Sequence, residues 1–414
     1  MHTFTLVFLA ALALATAVKL WLGLRHIAHV RAHRESVPAE FAAEITPEAH
    51  RKAADYSNTK SRLGLLSTVF EALVVLALTF GGVLQMLHDL SAAWFAPGIL
   101  RGVALMVLLG VLMAVIEIPF DIYRTFVIEE RFGFNKTTPR MFVIDGLKHA
   151  ALGAALGIPL AAAILWVMAG MGESWWIYAW LVWVAFNLLV LAIFPTWIAP
   201  LFNKFTPLAD ASLKERIERL LDRCGFKVGG LMVMDGSRRS SHGNAYFTGF
   251  GKTKRIVFFD TLLERLAPAE VEAVLAHELG HFKLKHVIKR MVWTFAASLA
   301  FLWVLAQLMT QAWFYSGLGV EAQSTAMALL LFFIVVPQFT FLLSPLSSYY
   351  SRKHEFEADH YATLHTAAAD LITALVKLYK DNAATLTPDP LHSLFYDSHP
   401  PATARIARLK GAAA

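Results

Sequence analysis

The segment from Gly102 to Arg124 reads GVALMVLLGVLMAVIEIPFDIYR, an apolar run longer than a soluble core requires. A bilayer span needs about 20 mostly apolar residues. A backbone in lipid must satisfy its own hydrogen bonds, which favours helices. Six further runs have the same character: 3–24, 63–87, 149–170, 175–198, 292–312 and 325–343. The sequence therefore predicts a mainly α-helical protein built on a bundle of seven transmembrane helices.

The composition agrees with a membrane protein and narrows the classes of partner. The chain is 57% hydrophobic and 16% charged, whereas a soluble domain carries about 25% charged residues. The net charge of +6 is explained by loop topology and contact with anionic membrane lipid. The sequence has no basic stripe with interleaved aromatic residues, so a nucleic-acid partner is disfavoured. The single cysteine, Cys224, excludes an internal disulfide and a Cys-rich metal site.

The Lys and Arg residues between the runs predict the orientation of the chain. They are plentiful after the first, third, fifth and seventh runs, whereas the second, fourth and sixth loops contain only Arg101, at a membrane boundary. Because cytoplasmic loops are enriched in Lys and Arg, we expect a multi-pass protein with its N-terminus outside and its C-terminus in the cytoplasm. The N-terminal MHTFT lacks Lys and Arg, which favours an uncleaved anchor over a signal peptide.

The runs divide the chain into four parts. Residues 1–198 are expected to form a membrane domain with five spans, 199–291 a cytoplasmic segment, 292–343 two further spans and 344–414 a C-terminal cytoplasmic segment. Within the second part, short strands are predicted for LMVMD (231–235), GNAYFTGF (243–250) and RIVFFD (255–260), and a hairpin turn for GFGKTK (249–254). These strands predict a small β-sheet.

The stretch VLAHELGHFKLKH, from Val274 to His286, contains the pattern of a metal site. Pro268 suits the first position of a helix, and His277 and His281, four residues apart, then share one helix face. This is the HExxH geometry of zinc binding, with Glu278 as general base. The alternative is two surface histidines on an amphipathic helix. His286, nine residues after His277, is expected on the opposite face, at the surface or behind a ligand.

A catalytic zinc takes three protein ligands and leaves one position for water, so a third ligand must come from elsewhere. The stretch SRKHEFEADHYA, from Ser351 to Ala362, offers His354, Glu355, Glu357 and His360. The chemistry favours Glu355, because Asp359 shares its helix face and could orient a ligating histidine. The alternative for this stretch is a solvated charged helix.

Several polar residues lie within or near the apolar runs: Glu71, Glu117, Asp121 and Asn187. A charge in lipid costs at least about 2.5 kcal/mol, so these groups should face protein or water. For Asn187, hydrogen bonding between helices is an equal alternative.

The chain resembles the integral-membrane, zinc-dependent CAAX prenyl protease family, type 1. The resemblance runs nearly end to end and includes FVIEERFGFNKTTP, FPTWIAPLFNKFTPLADASLKERIERL, SSHGNAYFTGFGKTKRIVFFDTLL, AHELGH, SRKHEFEADHYA and DSHPPATARI. The heat-shock protease HtpX shares the zinc motifs, but its family is shorter and has fewer spans. The resemblance implies seven helices around a water-filled chamber, with a gluzincin-like protease domain at the cytoplasmic side.

The resemblance also implies roles for individual residues. His277, His281 and Glu355 would hold one Zn²⁺ per chain, and Glu278 would be the base. Asp359 would support a ligand histidine, His399 would be a second active-site histidine, and Arg405 would be the family's arginine six residues later. Asn244 and Ala245 would lie on the strand that holds the substrate backbone. The implied substrates are peptides or membrane-associated proteins, some of them prenylated.

Three other functions are alternatives to a CAAX prenyl protease, and an inactive scaffold is a fourth. General clearance of membrane proteins would use the same site without a prenylated substrate. A zinc transporter or sensor should place its ligands within the spans, but the histidines lie beside Lys283, Lys285 and Lys289. The same charges disfavour a protease with its motif inside a lipid-embedded helix. A catalytically inactive scaffold is disfavoured because all motif residues are present.

Overall fold

The structure is a computed structural model, and it describes residues 2–248 and 255–413. The helices are α1 (Thr3–Ala32), α2 (Pro47–Leu78), α3 (Val83–Trp94), α4 (Ile99–Tyr123), α5 (Pro139–Gly170), α6 (Trp175–Ile193), α7 (Ala199–Phe202), α8 (Ala211–Cys224), α9 (Asp260–Leu263), α10 (Pro268–Lys283), α11 (His286–Leu308), α12 (Ala312–Ser316), α13 (Thr325–Thr340), α14 (Ser344–His365), α15 (Ala368–Asp381), α16 (Pro390–Tyr396) and α17 (Ala402–Ala413). The strands are β1 (Phe205–Pro207), β2 (Gly230–Met234), β3 (Ala245–Thr248) and β4 (Arg255–Phe259).

Within these residues, seven helical segments are long and apolar enough to cross a membrane. They contain α1, α2, α4, α5, α6, α11 and α13, and two are extended by π-helical turns at Arg124–Glu129 and Phe194–Ile198. The predicted mainly helical fold with seven such helices is confirmed.

The helices differ from the predicted runs where polar residues and glycine intervene. The predicted segment 63–87 is divided, because α2 ends at Leu78 and the Thr79 hydroxyl donates back to the Val75 carbonyl at 2.7 Å. Gly82 then takes a φ of 72°, a conformation that favours glycine, and α3 begins at Val83. At its other end α2 begins at Pro47, where the Thr46 hydroxyl accepts a hydrogen bond from the Ala49 amide at 3.2 Å.

One helix lies at the centre of the apolar bundle. Residues 326–332 of α13 are all buried, as expected of a helix that is hydrophobic on every side. The other long helices have fewer buried positions, so they retain wide exposed apolar surfaces.

The described strands form one mixed sheet in the order β1-β2-β4-β3. The pairs β1–β2 and β4–β3 are antiparallel and β2–β4 is parallel. The three predicted strands are therefore present, although the predicted turn GFGKTK lies outside the described residues. Ile256 and Phe258 of β4 are buried in one hydrophobic cluster with Leu275 and Leu279 of α10. The sheet thus supports the helix with the two histidines, and β3 forms its edge.

A close approach of two helices positions the candidate site. An added Cβ at Gly280 would lie 3.0 Å from the Ala358 Cα and 3.2 Å from the Ala358 carbonyl oxygen. A side chain at this position would force α10 and α14 apart by a few tenths of an ångström, so glycine favours their close packing. The contact brings the histidine face of α10 against the acidic face of α14.

Candidate metal centre and active site

Three side chains from α10 and α14 converge on one point. The Nε2 atoms of His277 and His281 lie 3.2 Å apart, and His281 Nε2 lies 3.2 Å from Glu355 Oε1. His277 Nε2 lies 3.5 Å from Glu355 Oε2. His277 and Glu355 are buried, whereas His281 is half-buried. The arrangement leaves basic atoms facing one another, which favours a cation between them.

The residues present fit a catalytic metal ion. Among the described residues, the buried Oε2 atom of Glu355 has no hydrogen-bond partner. Two imidazoles and one carboxylate form a ligand set of catalytic zinc sites, which keep a fourth position for water. The other candidates for the third ligand lie elsewhere: His354 and Glu357 contact His286, and His360 is exposed.

A buried ion pair lies behind His277. The Nδ1 atom of His277 is 2.8 Å from Asp359 Oδ1, and Arg405 donates from Nε to Asp359 Oδ2 at 2.9 Å. All three side chains are buried. Arg405 Nη1 also lies 3.6 Å from Glu355 Oε2. The guanidinium on α17 therefore neutralises a carboxylate that fixes the ring of His277.

The surroundings of His277 favour its protonated form when no metal is bound. Burial disfavours the charged ring, but interaction with the carboxylates of Asp359 and Glu355 outweighs burial and raises the pKa of His277 to about 9. A metal ion at Nε2 of His277 must displace the proton of the charged ring, so metal binding should weaken as the pH falls.

A cavity of about 530 Å³ opens in front of His277 and Glu355. Its wall contains Glu278, Asn244, Ala245 and His399. His399 lies in the loop between α16 and α17, with Nε2 3.5 Å from Glu355 Oε1 and a 63% exposed side chain. The structure thus brings every predicted catalytic and substrate-binding residue to one cavity.

Backbone contacts place Asn244 and Ala245 at the start of the edge strand. The Asn244 carbonyl accepts a hydrogen bond from the Phe259 amide at 2.9 Å, and its side-chain oxygen accepts from the Ala245 amide at 2.8 Å. Ala245 pairs with Phe258 of β4.

The cavity also contains residues that the sequence analysis missed. Asn382, after α15, accepts hydrogen bonds at Oδ1 from the Gly243 amide at 3.2 Å and lies 3.1 Å from His242 Nδ1. His242 Nε2 lies 3.7 Å from Glu129, whose other oxygen accepts a hydrogen bond from the Tyr56 hydroxyl at 2.6 Å. This network connects the FVIEERFGF stretch to the edge strand. Asn382 stands in no recognisable motif, so no sequence signal identified it.

Comparisons with known proteins match both halves of the chain. Residues 26–204 match a family described as the CAAX prenyl protease N-terminal region with five membrane helices, and residues 207–413 match peptidase family M48. The Arabidopsis thaliana CAAX prenyl protease 1 homolog is 36% identical over 390 residues, which cover 91% of each chain. The chain belongs to the CAAX prenyl protease 1 family. Membership makes it a membrane metallopeptidase, and it confirms the resemblance drawn from the motifs.

Two further relatives support the same family over nearly the whole length. The Homo sapiens CAAX prenyl protease 1 homolog is 34% identical over 421 residues, covering 90% of this chain and 88% of the relative. The crystal structure of S. mikatae Ste24p covers 99% of both chains with a TM-score of 0.90 and 29% identity. The CAAX prenyl protease fold therefore extends from α1 to α17.

Polar residues in the membrane helices of this family member line a cavity or form hydrogen bonds within their own helical segment. Glu71 and Glu117 line a cavity of about 260 Å³ together with Lys60 and Arg124. Asp121 accepts a hydrogen bond from Arg124 Nη1 at 3.1 Å. Asn187 donates to the Trp183 carbonyl of its own helix at 2.8 Å, so the structure shows no bond from it to another described helix.

The structure corrects the expected position of His286. The prediction of the opposite face assumes that α10 continues through His286. Instead α10 ends at Lys283, Lys285 takes a φ of 58°, and α11 begins at His286. The turn returns His286 to the back of His281, where it is buried. The surface interpretation was wrong, and the position behind a candidate ligand is the observed one.

Proposed function

We propose that His277, His281 and Glu355 hold one zinc ion per chain and that the protein cleaves peptide bonds near the C-terminus of prenylated substrates. The observation that carries this proposal is the convergence of two imidazole nitrogens and a carboxylate beside a cavity whose wall contains His277, Glu355, Glu278 and His399. When bound, zinc would lower the pKa of a water molecule to about 7 and polarise the scissile carbonyl.

The chain's own residues then supply the proton transfers. Glu278 accepts a proton from the attacking water and passes it to the departing amine. The exposed imidazole of His399 donates a hydrogen bond to the oxyanion, which forms only as the water attacks. Asp359 and Arg405 keep the ring of His277 in place through their contacts with one another and with Nδ1 of His277.

The edge strand offers a way to hold the substrate. A peptide in extended conformation adds to β3 by main-chain hydrogen bonds, which give affinity without a strict sequence requirement. Asn244 and Ala245, at the start of β3, line the same cavity as Glu278. The reacting carbonyl would therefore lie next to that end of the strand.

Peptide hydrolysis tests the substrate class. We expect the purified protein to release the C-terminal tripeptide from a synthetic CAAX peptide that carries a farnesyl group on its cysteine. The prenyl group should raise kcat/KM about tenfold or more over the same peptide without it, equivalent to about 1.4 kcal/mol of binding. Mass spectrometry of the products and steady-state rates measure both quantities.

The outcome also separates the alternatives. Equal rates with and without the prenyl group would favour general clearance of membrane peptides. Absence of cleavage by a zinc-loaded preparation would favour a transporter or sensor, although the candidate ligands lie beside Lys283 and Lys285 rather than in an apolar run.

We further propose that the N-terminus lies outside and that the active site and C-terminus lie in the cytoplasm. The alternating Lys and Arg content of the loops supports this orientation. A reporter protein that is active only in the cytoplasm should be active when it is fused after Lys410. A reporter that is active only outside the cell would reverse the assignment.

A further inference from the structure

The second histidine of the HExxH motif uses both of its ring nitrogens. Nε2 of His281 faces His277 and Glu355, and its Nδ1 lies 3.0 Å from His286 Nδ1. On the far side of the His286 ring, Nε2 lies 2.9 Å from Glu357 Oε2. A continuous chain of contacts thus runs from the candidate metal position to a carboxylate on α14.

His286 is held in a fixed orientation by its surroundings. Its side chain is 4% exposed, and its ring stacks on that of His354 with centroids 4.0 Å apart and an interplanar angle of 11°. The positive φ of Lys285 directs the start of α11 toward His281. The fold therefore places the buried ring of His286 against Nδ1 of His281.

The proton positions along this chain are mutually consistent. When Nε2 of His281 is used as a metal ligand, Nδ1 carries the hydrogen and must donate it. His286 then accepts at Nδ1, so its own hydrogen is on Nε2, where it donates to Glu357. Each donor faces one acceptor, and the Glu357 carboxylate is the last acceptor in this series of hydrogen bonds.

We propose that His286 and Glu357 are positioning residues that orient His281 as a metal ligand. The proposal rests on the proposed zinc-binding role of His281. The two histidines of the motif, His277 and His281, are then oriented by different partners. His277 contacts the carboxylate of Asp359 directly, whereas His281 contacts a carboxylate through a second imidazole. Partners of this kind fix the ring of a ligating histidine and increase its affinity for the metal.

A second metal site is the competing explanation of the same cluster. His286, His354 and Glu357 offer ligand atoms within 4.8 Å of one another. A metal on Nε2 of His286 would leave the hydrogen on its Nδ1, facing the hydrogen on Nδ1 of His281 at 3.0 Å. Two donors would then oppose each other whenever the first site is filled. The stacked rings and the Glu357 hydrogen bond favour the positioning role.

Zinc affinity of the full-length protein in detergent, measured by chelator competition, tests the proposal. His286→Ala and Glu357→Ala should each weaken zinc binding, by about 10–100-fold for His286→Ala. The double variant should be no weaker than His286→Ala, because both changes interrupt one chain. His286→Gln should recover most of the affinity, since an amide both accepts and donates. Rescue of this kind is not expected of a residue that only fills space.

Two matched controls and one reference variant complete the design. His354→Ala removes the stacked ring but neither hydrogen bond, so it should weaken zinc binding less than His286→Ala does. His360→Ala changes an exposed histidine on the same helix and should bind zinc nearly as the wild type does. His281→Ala should lose the zinc altogether. Retention of zinc in His281→Ala would contradict the proposed ligand set itself.

Loss of zinc in His281→Ala, with unchanged affinity in His286→Ala and Glu357→Ala, would overturn the positioning role alone. Two zinc ions per wild-type chain, with one lost in His286→Ala or His354→Ala, would overturn it in favour of a second metal site. If His286→Ala does not fold, Glu357→Ala and His286→Gln decide the question, because the Glu357 side chain is 36% exposed.

Discussion

Glu278→Gln should lower kcat by about 10²–10⁴-fold, the usual contribution of a general acid–base, while zinc content and folding remain unchanged. Glutamine has nearly the same shape as glutamate but cannot accept the proton of the attacking water. Glu278 follows His277 on α10 and lines the cavity, whereas the proposed ligands are other residues. Steady-state cleavage of a farnesylated CAAX peptide and metal analysis of the same preparation measure the two effects.

Glu264→Gln is a suitable control for this change. Glu264 is an exposed glutamate between α9 and α10 and does not line the cavity, so the variant should cleave at the wild-type rate. A Glu278→Gln protein that retains most of its kcat would remove Glu278 from the mechanism. A variant that loses zinc would instead assign the carboxylate to the metal.

The motif helix could be predicted because its features are local. Pro268 begins α10 as expected, and the spacing of four residues places both histidines on one face. The sequence predicts that the third metal ligand lies between Ser351 and Ala362, but chemistry alone does not assign it to one residue of that stretch. Its position depends on the contact of Gly280 with Ala358, a non-local approach between helices that are far apart in the sequence.

The errors arose where a helix ends without an obvious signal. The predicted face of His286 is wrong because Lys285 adopts a positive φ, which is uncommon for a residue other than glycine. The break after Leu78 was missed because the apolar run continues through Thr79 and Gly82. Helical periodicity identifies faces reliably only within one uninterrupted helix.

The site also depends on residues whose partners no local pattern reveals. Arg405 was placed by its family motif, and only the structure shows that it pairs with Asp359 behind His277. No sequence pattern identifies Asn382, although its side-chain oxygen accepts a hydrogen bond from the Gly243 amide beside the edge strand. Such residues act through contacts that form when distant segments pack together.

His399→Ala should lower kcat by about 10²–10³-fold, the loss found on removing one oxyanion-hole donor, and should leave KM nearly unchanged. An interaction made only in the transition state has this kinetic signature. The geometry supports such a role, because the ring is 63% exposed yet has Nε2 3.5 Å from Glu355 Oε1. It is therefore near the candidate metal position and open to the cavity, where a developing oxyanion would lie.

The control for His399 is Ser398→Ala, which removes the partner of His399 Nδ1, the Ser398 hydroxyl 3.0 Å away. This variant keeps the imidazole and should lose much less activity than His399→Ala. Cleavage of the farnesylated peptide and zinc content are measured on both proteins. Unchanged kcat in His399→Ala would leave the histidine outside the reaction, and loss of zinc would make it a fourth protein ligand. A fourth protein ligand would close the position that the attacking water needs, so retained zinc with reduced kcat is the result that agrees with a peptidase.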